Sequence, residues 1–480
     1  MIGENRRKRL YLLLVVFAVL CAATFALTRT AEEKEKIKSS GEIILEVPSD
    51  TVETLSWEHG DTSLAFHKDE VWLYDEDETF PVDEAKIMEL LEQFESFGVS
   101  FVIEEVSDYG VYGLEKPVCT IEFTTEDRSY TMKLGDFSDM DHERYVSIGD
   151  GNVYLAKADP LDRFDAVLGD MIDNDEPLSY DRISGIEVSG VDDYSIFYAE
   201  DHEAAYTEED VYLTEREGAV VPLDSDRVES YLEHLAMVDL SNYITYNAAP
   251  KDLKTYGLDT PELTVYVDYT DQDADGNEFS DTFTLSVSCD LEELARRKQA
   301  DAAEPEDTET PDEEKELTAY ARVGESSIIY QLSEADCLDL MAASFNDLRH
   351  REVLTADFED VEQIEVKLEG TAYSFTASGK KEDRNWTYLE RDVEIDGLQS
   401  ALEDLRAASA DSFTDEVPEG KEEIRLTVSF RQEDRPPVEI ALYRYDGDSC
   451  LAVVDGTPFA LVDRSGVVDL IEEVHAIVLN

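Results

Sequence analysis

The sequence has few cysteines, histidines and basic residues, and these shortages exclude several classes of protein. Its five cysteines form no Cys-x-x-Cys pair, so neither a zinc ribbon nor a thioredoxin-type site is predicted. Its seven histidines include no two at metal-ligand spacing, and the chain has no His-Glu-x-x-His motif, Walker loop or Gly-x-Ser-x-Gly elbow. Only 40 basic residues accompany 114 acidic ones, which gives a net charge of −74. Because such a surface repels phosphate backbones, we expect no nucleic-acid partner.

The carboxylates are abundant but carry no catalytic pattern. Among 114 acidic residues, pairs suited to glycoside hydrolysis occur throughout the chain, so no single pair is informative. We therefore assign no catalytic residue and no cofactor from the sequence. An extracytoplasmic, carboxylate-dependent hydrolase acting on cell-wall polymer stays open as an alternative, and it would need acids that meet only in space.

The one long apolar run lies near the N-terminus. Basic residues at 6–9 precede an uncharged run at 10–27, which is just long enough to span a bilayer as a helix. The positive-inside rule keeps residues 1–9 in the cytoplasm and places the rest of the chain outside, beginning with a charged stalk at 28–41. A cleaved signal peptide is the alternative, because the run is short and "ATFA" offers small residues. We favour a single-pass anchor in the cell membrane, with the bulk of the chain extracytoplasmic.

Four cysteines lie beyond this anchor: Cys119, Cys289, Cys337 and Cys450. The first two share strand parity with apolar neighbours, which predicts that their side chains point inward. We expect buried free thiols, and a disulfide stays open in an oxidising compartment.

One phrase, Tyr-Gly-Leu-x-x-Pro, occurs twice, 144 positions apart, and an alternating apolar strand follows each copy. Its residues are Tyr112, Gly113 and Pro117 in the first copy and Tyr256, Gly257 and Pro261 in the second. The glycine is expected to supply a backbone conformation closed to bulkier residues, and the proline to end what precedes the strand. A ligand held by the turn is the functional alternative, but no polar cluster accompanies the phrase. It therefore predicts a structural turn, with the tyrosine packed under it.

An amphipathic-helix pattern occurs three times with apolar residues at the same five offsets. The stripes are Ile87, Leu90, Leu91, Phe94 and Phe97; Val228, Tyr231, Leu232, Leu235 and Val238; and Leu398, Ala401, Leu402, Leu405 and Ala408. An aromatic strand precedes each stripe, an alternating strand follows it, and a hairpin with a glycine at its turn closes each copy. Single helices between runs of strands indicate antiparallel α+β units.

These patterns predict an α+β fold with three tandem repeats of mainly antiparallel sheet, one amphipathic helix each, after an N-terminal transmembrane helix. We place repeat 1 at 42–172, repeat 2 at 180–343 and repeat 3 at 347–480. Repeat 2 contains a Pro-, Glu- and Asp-rich insertion at about 296–316, which is expected to be disordered.

One acidic run is similar to a calcium loop. Asp271, Asp273 and Asp275 match its opening ligands, but Phe279 and Thr282 stand at positions nine and twelve, where further oxygen ligands belong. Two interpretations stay open: a calcium site that stiffens a stalk or adhesin, and an acidic hairpin with an Asp-Gly turn. The position of the run between two strand patterns favours the hairpin.

The stretch "VWLYDEDETFPVDEAKIMELLEQF", followed by "VYGLEKPVCTIEF", "YTMKLGD" and "ERYVSIGDGNVYLA", resembles the uncharacterised bacterial family called domain of unknown function 4340. The resemblance implies envelope-attached proteins that accompany ABC-type transport systems, and it brings no catalytic residues. Our leading hypothesis is a non-catalytic, membrane-anchored extracytoplasmic scaffold that binds a protein partner in the envelope.

Overall fold

A computed structural model describes residues 41–104, 106–207, 209–302, 317–379, 384–432 and 435–479. The chain divides into two compact units, one ending at Asn174 and the other running from Asp175 to Asn480. The second unit holds the predicted second and third repeats. The predicted anchor at 10–27 lies outside the described residues, and none of the helices that are described is long and apolar enough to cross a membrane.

The first unit is built on a nine-stranded antiparallel sheet with the order β1-β5-β9-β8-β7-β6-β2-β3-β4. Its strands are β1 Glu42–Leu45, β2 Val52–His59, β3 Thr62–Lys68, β4 Trp72–Tyr74, β5 Phe97–Ile103, β6 Cys119–Thr125, β7 Ser129–Ser138, β8 Glu143–Ser147 and β9 Val153–Ala156. Two α-helices accompany it, α1 Glu84–Glu92 and α2 Leu161–Phe164.

The second unit contains two sheets. The first of them has the order β13-β12-β11-β10-β15-β16-β17-β18-β14. Its strands are β10 Arg182–Gly190, β11 Tyr194–Tyr198, β12 Tyr212–Arg216, β13 Ala219–Pro222, β14 Tyr243–Thr245, β15 Leu263–Gln272, β16 Glu278–Cys289, β17 Ala319–Val323 and β18 Ile329–Leu332. Its helices are α3 Ser225–Met237, α4 Pro250–Thr255, α5 Leu291–Ala302, α6 Glu334–Leu340 and α7 Phe345–Leu348.

The other sheet of the second unit has the order β22-β21-β20-β19-β23-β24-β25-β26. Its strands are β19 Val361–Leu368, β20 Thr371–Ser378, β21 Asn385–Tyr388, β22 Arg391–Val393, β23 Glu422–Phe430, β24 Val438–Arg444, β25 Ser449–Val454 and β26 Thr457–Asp463. Helices α8 Asp396–Glu403 and α9 Arg464–Leu479 pack on it.

All three sheets contain the same seven-strand arrangement. Numbering these shared strands along the chain, their order across each sheet is 3-2-1-4-5-6-7, and neighbouring strands are antiparallel throughout. The predicted amphipathic helix lies between shared strands 3 and 4 in every case, as α1, α3 and α8. The antiparallel α+β class is therefore confirmed, and the common topology explains why the sequence patterns repeat.

Two of the repeated helices begin at a capping aspartate, and all three end before the last residue of their apolar stripe. Asp83 accepts hydrogen bonds from the amides of Ala85 and Lys86, and Asp224 accepts one from the Arg227 amide. Each carboxylate is therefore the N-cap of its helix and satisfies amides of the first turn. Helix α1 ends at Glu92, and the last residue of its stripe instead begins β5. The apolar spacing continues past the helix because these residues still face the same core.

The prediction of one helix per repeat is wrong, because each of the three sheets is accompanied by more than one described α-helix. The clearest difference is α5, which occupies the first part of the insertion that was expected to be disordered. Its sequence, "LEELARRKQADA", is rich in strong helix formers, Glu293 pairs with Arg297 one turn on at 3.2 Å, and Leu294 is buried. Residues 303–316 of the insertion lie outside the described residues.

Candidate functional site

The chain between the second and third sheets carries a cluster of ionisable groups whose pKa values are shifted by one another. We call residues 348–353 the junction segment. The amide of Asp224, at the start of α3, donates to Leu348 O at 3.1 Å, and the Ala407 amide donates to Arg351 O at 2.8 Å. The segment is thus tied by backbone hydrogen bonds to the helix of repeat 2 and to the chain that follows the helix of repeat 3.

His350 lies at the centre of this segment between two carboxylates. Its Nε2 atom is 2.9 Å from Oδ1 of Asp210, and its Nδ1 atom is 3.7 Å from Oε2 of Glu352. The ring of Tyr206 packs edge-on against the imidazole, with 5.4 Å between ring centroids. The histidine is therefore enclosed on both nitrogen sides by acidic groups and on one face by an aromatic ring.

Asp210 is held rigidly in the loop before β12. It is only 3% exposed, and its Oδ2 atom accepts hydrogen bonds from the amides of Tyr206 and Thr207 at 2.8 and 3.0 Å. Its other oxygen remains for His350. Burial raises the pKa of Asp210, but the hydrogen bond and charge of His350 and the two amides outweigh it, so the net shift is downward.

Burial and neighbouring charges also set the pKa values of His350 and Glu352. Burial lowers the pKa of His350, but the hydrogen bond to Asp210, the ion-pair contact with Glu352 and the nearby negative charge dominate and raise it to about 9. The proximity of His350 in turn lowers the pKa of Glu352 to about 2. At neutral pH the cluster is thus an imidazolium between two carboxylates, a closed ion-pair network.

The cluster also offers donors of the type that bind divalent metals. Asp224, His350 and Glu352 each offer one ligand atom, and these three atoms lie within 4.8 Å of one another. Asp210 could orient the imidazole of His350 from its far side, as carboxylates do in many zinc sites. Two features compete with a cation. Both oxygens of Asp224 already accept from Arg227, at 3.3 Å from its amide and 3.0 Å from Nε. The protonated imidazole, moreover, would have to lose a proton before it could bind metal.

A second contact strengthens the junction. The guanidinium of Arg349 lies 4.9 Å from the ring of Phe345 in α7, and 4.3 and 5.1 Å from the rings of Phe413 and Phe459 on the third-repeat side. Burial lowers the pKa of this guanidinium. A cation enclosed by three aromatic rings gains more than an exposed one, so Arg349 binds the two repeats together.

The twice-occurring phrase forms the same turn in both copies. Gly113 and Gly257 have φ of +74° and +75°, and the prolines stand two residues before β6 and β15. The ring of Tyr112 packs at a tilt against Tyr145 of β8, with 5.0 Å between centroids, and the ring of Tyr256 packs edge-to-face against Tyr320 of β17, at 4.8 Å. Since β8 and β17 are the same shared strand, the phrase fastens a turn to the closing hairpin of each repeat. Pro117 and Pro261 are half-buried at these turns.

The acidic run at 271–275 lies at the tip of the β15–β16 hairpin. Both carboxylate oxygens of Asp273 accept hydrogen bonds from Asn277, and Oδ1 also accepts from the Asp275 amide at 3.0 Å. Asp271 accepts from the hydroxyl of Ser179 at 2.9 Å. In this conformation Asp273 organises the turn itself, whereas Asp275 stays exposed. The calcium site remains a prediction.

Sequence reasoning missed the junction cluster. His350 and Asp210 are 140 positions apart, and only folding brings them together. The single local signal was the run "RHRE" at 349–352, in which three basic residues precede an acidic one near the start of the predicted third repeat.

The second unit also has a groove whose lining includes no residue of the junction segment. It is an open groove of about 590 Å³ lined by Glu176, Pro177, Leu178, Ser179, Tyr180 and Ala236. Burial is the main cause that raises the pKa of Tyr180, with Glu233 and Glu229 adding to it. The groove therefore presents an apolar wall and a phenol, without a facing pair of acids.

Comparison with known proteins gives one result. A family model described as a domain of unknown function (DUF4340) matches residues 72–209 and 214–426. No curated protein and no solved structure was found to match the chain. The two matched stretches cover the greater part of the sequence and include strands and helices of all three sheets. The chain belongs to the DUF4340 family.

Proposed function

We propose that this protein is a non-catalytic, membrane-anchored extracytoplasmic scaffold that binds protein partners and is accessory to an ABC-type transport system. The anchor is the apolar run at 10–27, preceded by the basic residues at 6–9. Each of the three similar sheets offers its own surface, and repeated surfaces suit binding of a protein partner better than binding of a small substrate.

The observation that carries this proposal is the way in which the junction cluster is closed. Catalytic acids and bases that have perturbed pKa values usually face a cleft where a substrate will bind. Here Asp210, His350 and Glu352 are engaged with one another, and the backbone around them bonds to both neighbouring repeats. A perturbed network of this kind is suited to fixing the orientation of two repeats, which is a structural role.

Exposed apolar side chains offer contact points for a partner. Met140, Met237 and Val417 are 87%, 81% and 77% exposed, and one lies in each of the three repeats. We propose that these side chains contribute apolar contacts to the partner.

The first test is crosslinking and purification of the full chain from its own membranes, with a chain lacking residues 1–28 as the control. We expect permease or ATPase subunits to be recovered with the anchored form only. Recovery of wall fragments alone would contradict the scaffold function and favour the hydrolase.

A second test locates the surface. A photo-crosslinking amino acid is introduced at Met140, Met237 or Val417, and at an exposed acidic neighbour of each. The matched neighbours are Asp139, Glu233 and Glu419. We expect the apolar positions to crosslink to the transport subunits and their acidic neighbours to do so much less. Equal crosslinking from both sets would argue that the captured proteins are bystanders.

A further inference from the structure

Three side chains that can bind a metal converge beside the junction segment. Asp224 is the N-cap of α3, and His350 and Glu352 lie in the segment itself. One ligand atom of each lies within 4.8 Å of the other two, and all three residues are half-buried. Bonds from zinc to nitrogen and oxygen are about 2.0–2.2 Å long. An ion placed among the three atoms therefore reaches all of them after small rotations of the side chains.

Backbone contacts hold these residues in place on both sides. The Asp224 amide donates to Leu348 O at 3.1 Å, which ties the start of α3 to the junction segment. Glu352 forms an antiparallel bridge with Arg406, in the chain that follows α8. The three ligands are thus positioned by a helix start of repeat 2 and by a segment bonded to repeat 3, as a preorganised site requires.

Asp210 determines which nitrogen of His350 faces the other ligands. Its Oδ1 atom is 2.9 Å from Nε2 of His350, and its Oδ2 atom accepts from two backbone amides. The imidazole therefore donates its Nε2–H to Asp210, and its Nδ1 atom faces Glu352, 3.7 Å from Oε2. A metal-binding histidine usually donates its other N–H to a carboxylate in this way. Since Asp210 is not one of the three ligands, this contact is a second observation that supports a metal site.

We propose that Asp224, His350 and Glu352 bind one zinc-type divalent ion, with Asp210 orienting the imidazole. One nitrogen and two carboxylate oxygens suit zinc better than calcium or magnesium, which prefer oxygen ligands alone. The ion joins α3 to the segment that leads into the third sheet, so its role is structural. The site rests on contacts within the second unit, and it depends neither on the anchor nor on a transport partner.

The ion replaces two interactions of the metal-free chain. Nε of Arg227 donates to Oδ2 of Asp224 at 3.0 Å, but the Arg227 side chain is 32% exposed. It can turn into solvent while the Arg227 amide keeps its hydrogen bond to the capping carboxylate. The Nδ1 proton of His350 is released, and the neutral imidazole binds the ion. Without the ion, the cluster is the ion-pair network described above.

The first test is calorimetric titration of the purified, metal-free full chain with zinc. Millimolar calcium is present throughout, so that it saturates weak binding by exposed carboxylates. We expect one zinc ion per chain. His350→Gln and Glu352→Gln should lose this binding, whereas His234→Gln, which alters the half-exposed pair with Asp339, should keep it. No stoichiometric binding by the wild-type chain, or undiminished binding by the His350 and Glu352 variants, would overturn the site.

Two further variants test Asp224 and Asp210 separately. Arg227→Gln removes the guanidinium that competes for Asp224, so zinc should bind on the order of tenfold more tightly. Arg296→Gln is its control, because it makes the same change of charge in α5, where Arg296 pairs with Glu293. Equal effects of the two substitutions would exclude Asp224 as a ligand. Asp210→Asn should weaken binding about 10- to 100-fold, and an unchanged affinity would exclude its orienting role.

A measurement on the wild-type chain does not depend on whether the ligand variants fold. The chain has seven histidines, so NMR of protein labelled in the histidine rings can follow each imidazole. One equivalent of zinc should shift the Nδ1 resonance of a single histidine, the one whose signal is absent from His350→Gln. The melting temperature should rise on the order of 5 °C at a hundredfold excess of zinc over Kd. Shifts spread over several histidines, or a shift at another one, would place the zinc elsewhere and overturn the proposal.

Discussion

The Nε2 atom of His350 lies 2.9 Å from Oδ1 of the buried Asp210, and this contact joins the chain between two sheets to a loop of the preceding one. The two residues are 140 positions apart. The contact fixes a charged side chain where the second repeat ends and the third begins, so its protonation governs how firmly the two are joined.

His350→Gln should make stability less dependent on pH. The pKa of His350 is about 9 in the folded chain against 6.5 for the free group, so its contribution is complete below pH 6.5 and is lost as the pH rises through about 9. We expect the variant to be about 3 kcal/mol less stable at pH 6, with the difference shrinking towards pH 10. Urea unfolding across this range measures it.

His234→Gln is the matched control for that experiment. His234 forms a half-exposed pair with Asp339 at 3.5 Å. Exposed pairs of this kind contribute about 0.5 kcal/mol or less. A pH profile for the His350 variant that parallels wild type would show that the junction pair does not couple protonation to folding.

Arg349→Met should loosen the junction by removing the charge while keeping much of the side-chain volume. With three rings around the guanidinium, we expect a loss of about 2 kcal/mol in the free energy of unfolding. Arg435→Met is the control, because Arg435 lies over the single ring of Phe430, at 4.0 Å, and should lose about 0.5–1 kcal/mol. Equal losses in the two variants would mean that the additional rings contribute nothing.

Gly257→Ala should destabilise the second unit through a steric clash. A Cβ atom there would lie 2.2 Å from Oγ of Ser288, at a φ of +75°. Gly276→Ala has a similar φ of +79° but open space around it, so it isolates the backbone cost. We expect about 1 kcal/mol for Gly276→Ala and about 3 kcal/mol for Gly257→Ala, measured by thermal unfolding.

A second substitution tests the cause of that difference. Adding Ser288→Ala to Gly257→Ala removes the clashing hydroxyl and should recover part of the loss. If the double variant is no more stable than the single one, the glycine is required for its φ alone.

The calcium prediction can be tested apart from the turn. Asp273 accepts the hydrogen bonds that hold the hairpin tip, so a double Asp271→Asn, Asp275→Asn variant removes two predicted ligands and keeps the turn. If calcium binds, millimolar calcium raises the melting temperature of the wild-type chain, and the double variant loses that rise. An identical response in both proteins, including none, would exclude these two carboxylates as ligands.

The sequence determined the repeated units themselves. Period-two alternation and the recurring helix stripe are local patterns, and each unit must bury the same faces, so the antiparallel strands and the repeated helix between them followed from the residues, whereas the additional helices did not. The glycine turns at Gly113 and Gly257 followed as well, because only a few residues accept a left-handed backbone. The helix in the insertion was not predicted, because the Pro-, Glu- and Asp-rich composition of the insertion favoured a disordered loop.

Only the tertiary structure decided which distant side chains meet. The proximity of Asp210 to His350 and the three rings around Arg349 each join elements that no local period relates. Sequence pattern specifies which face of a strand or helix is buried, since that depends on neighbouring residues. It does not specify which two buried or charged groups share a contact, because that depends on how whole sheets pack.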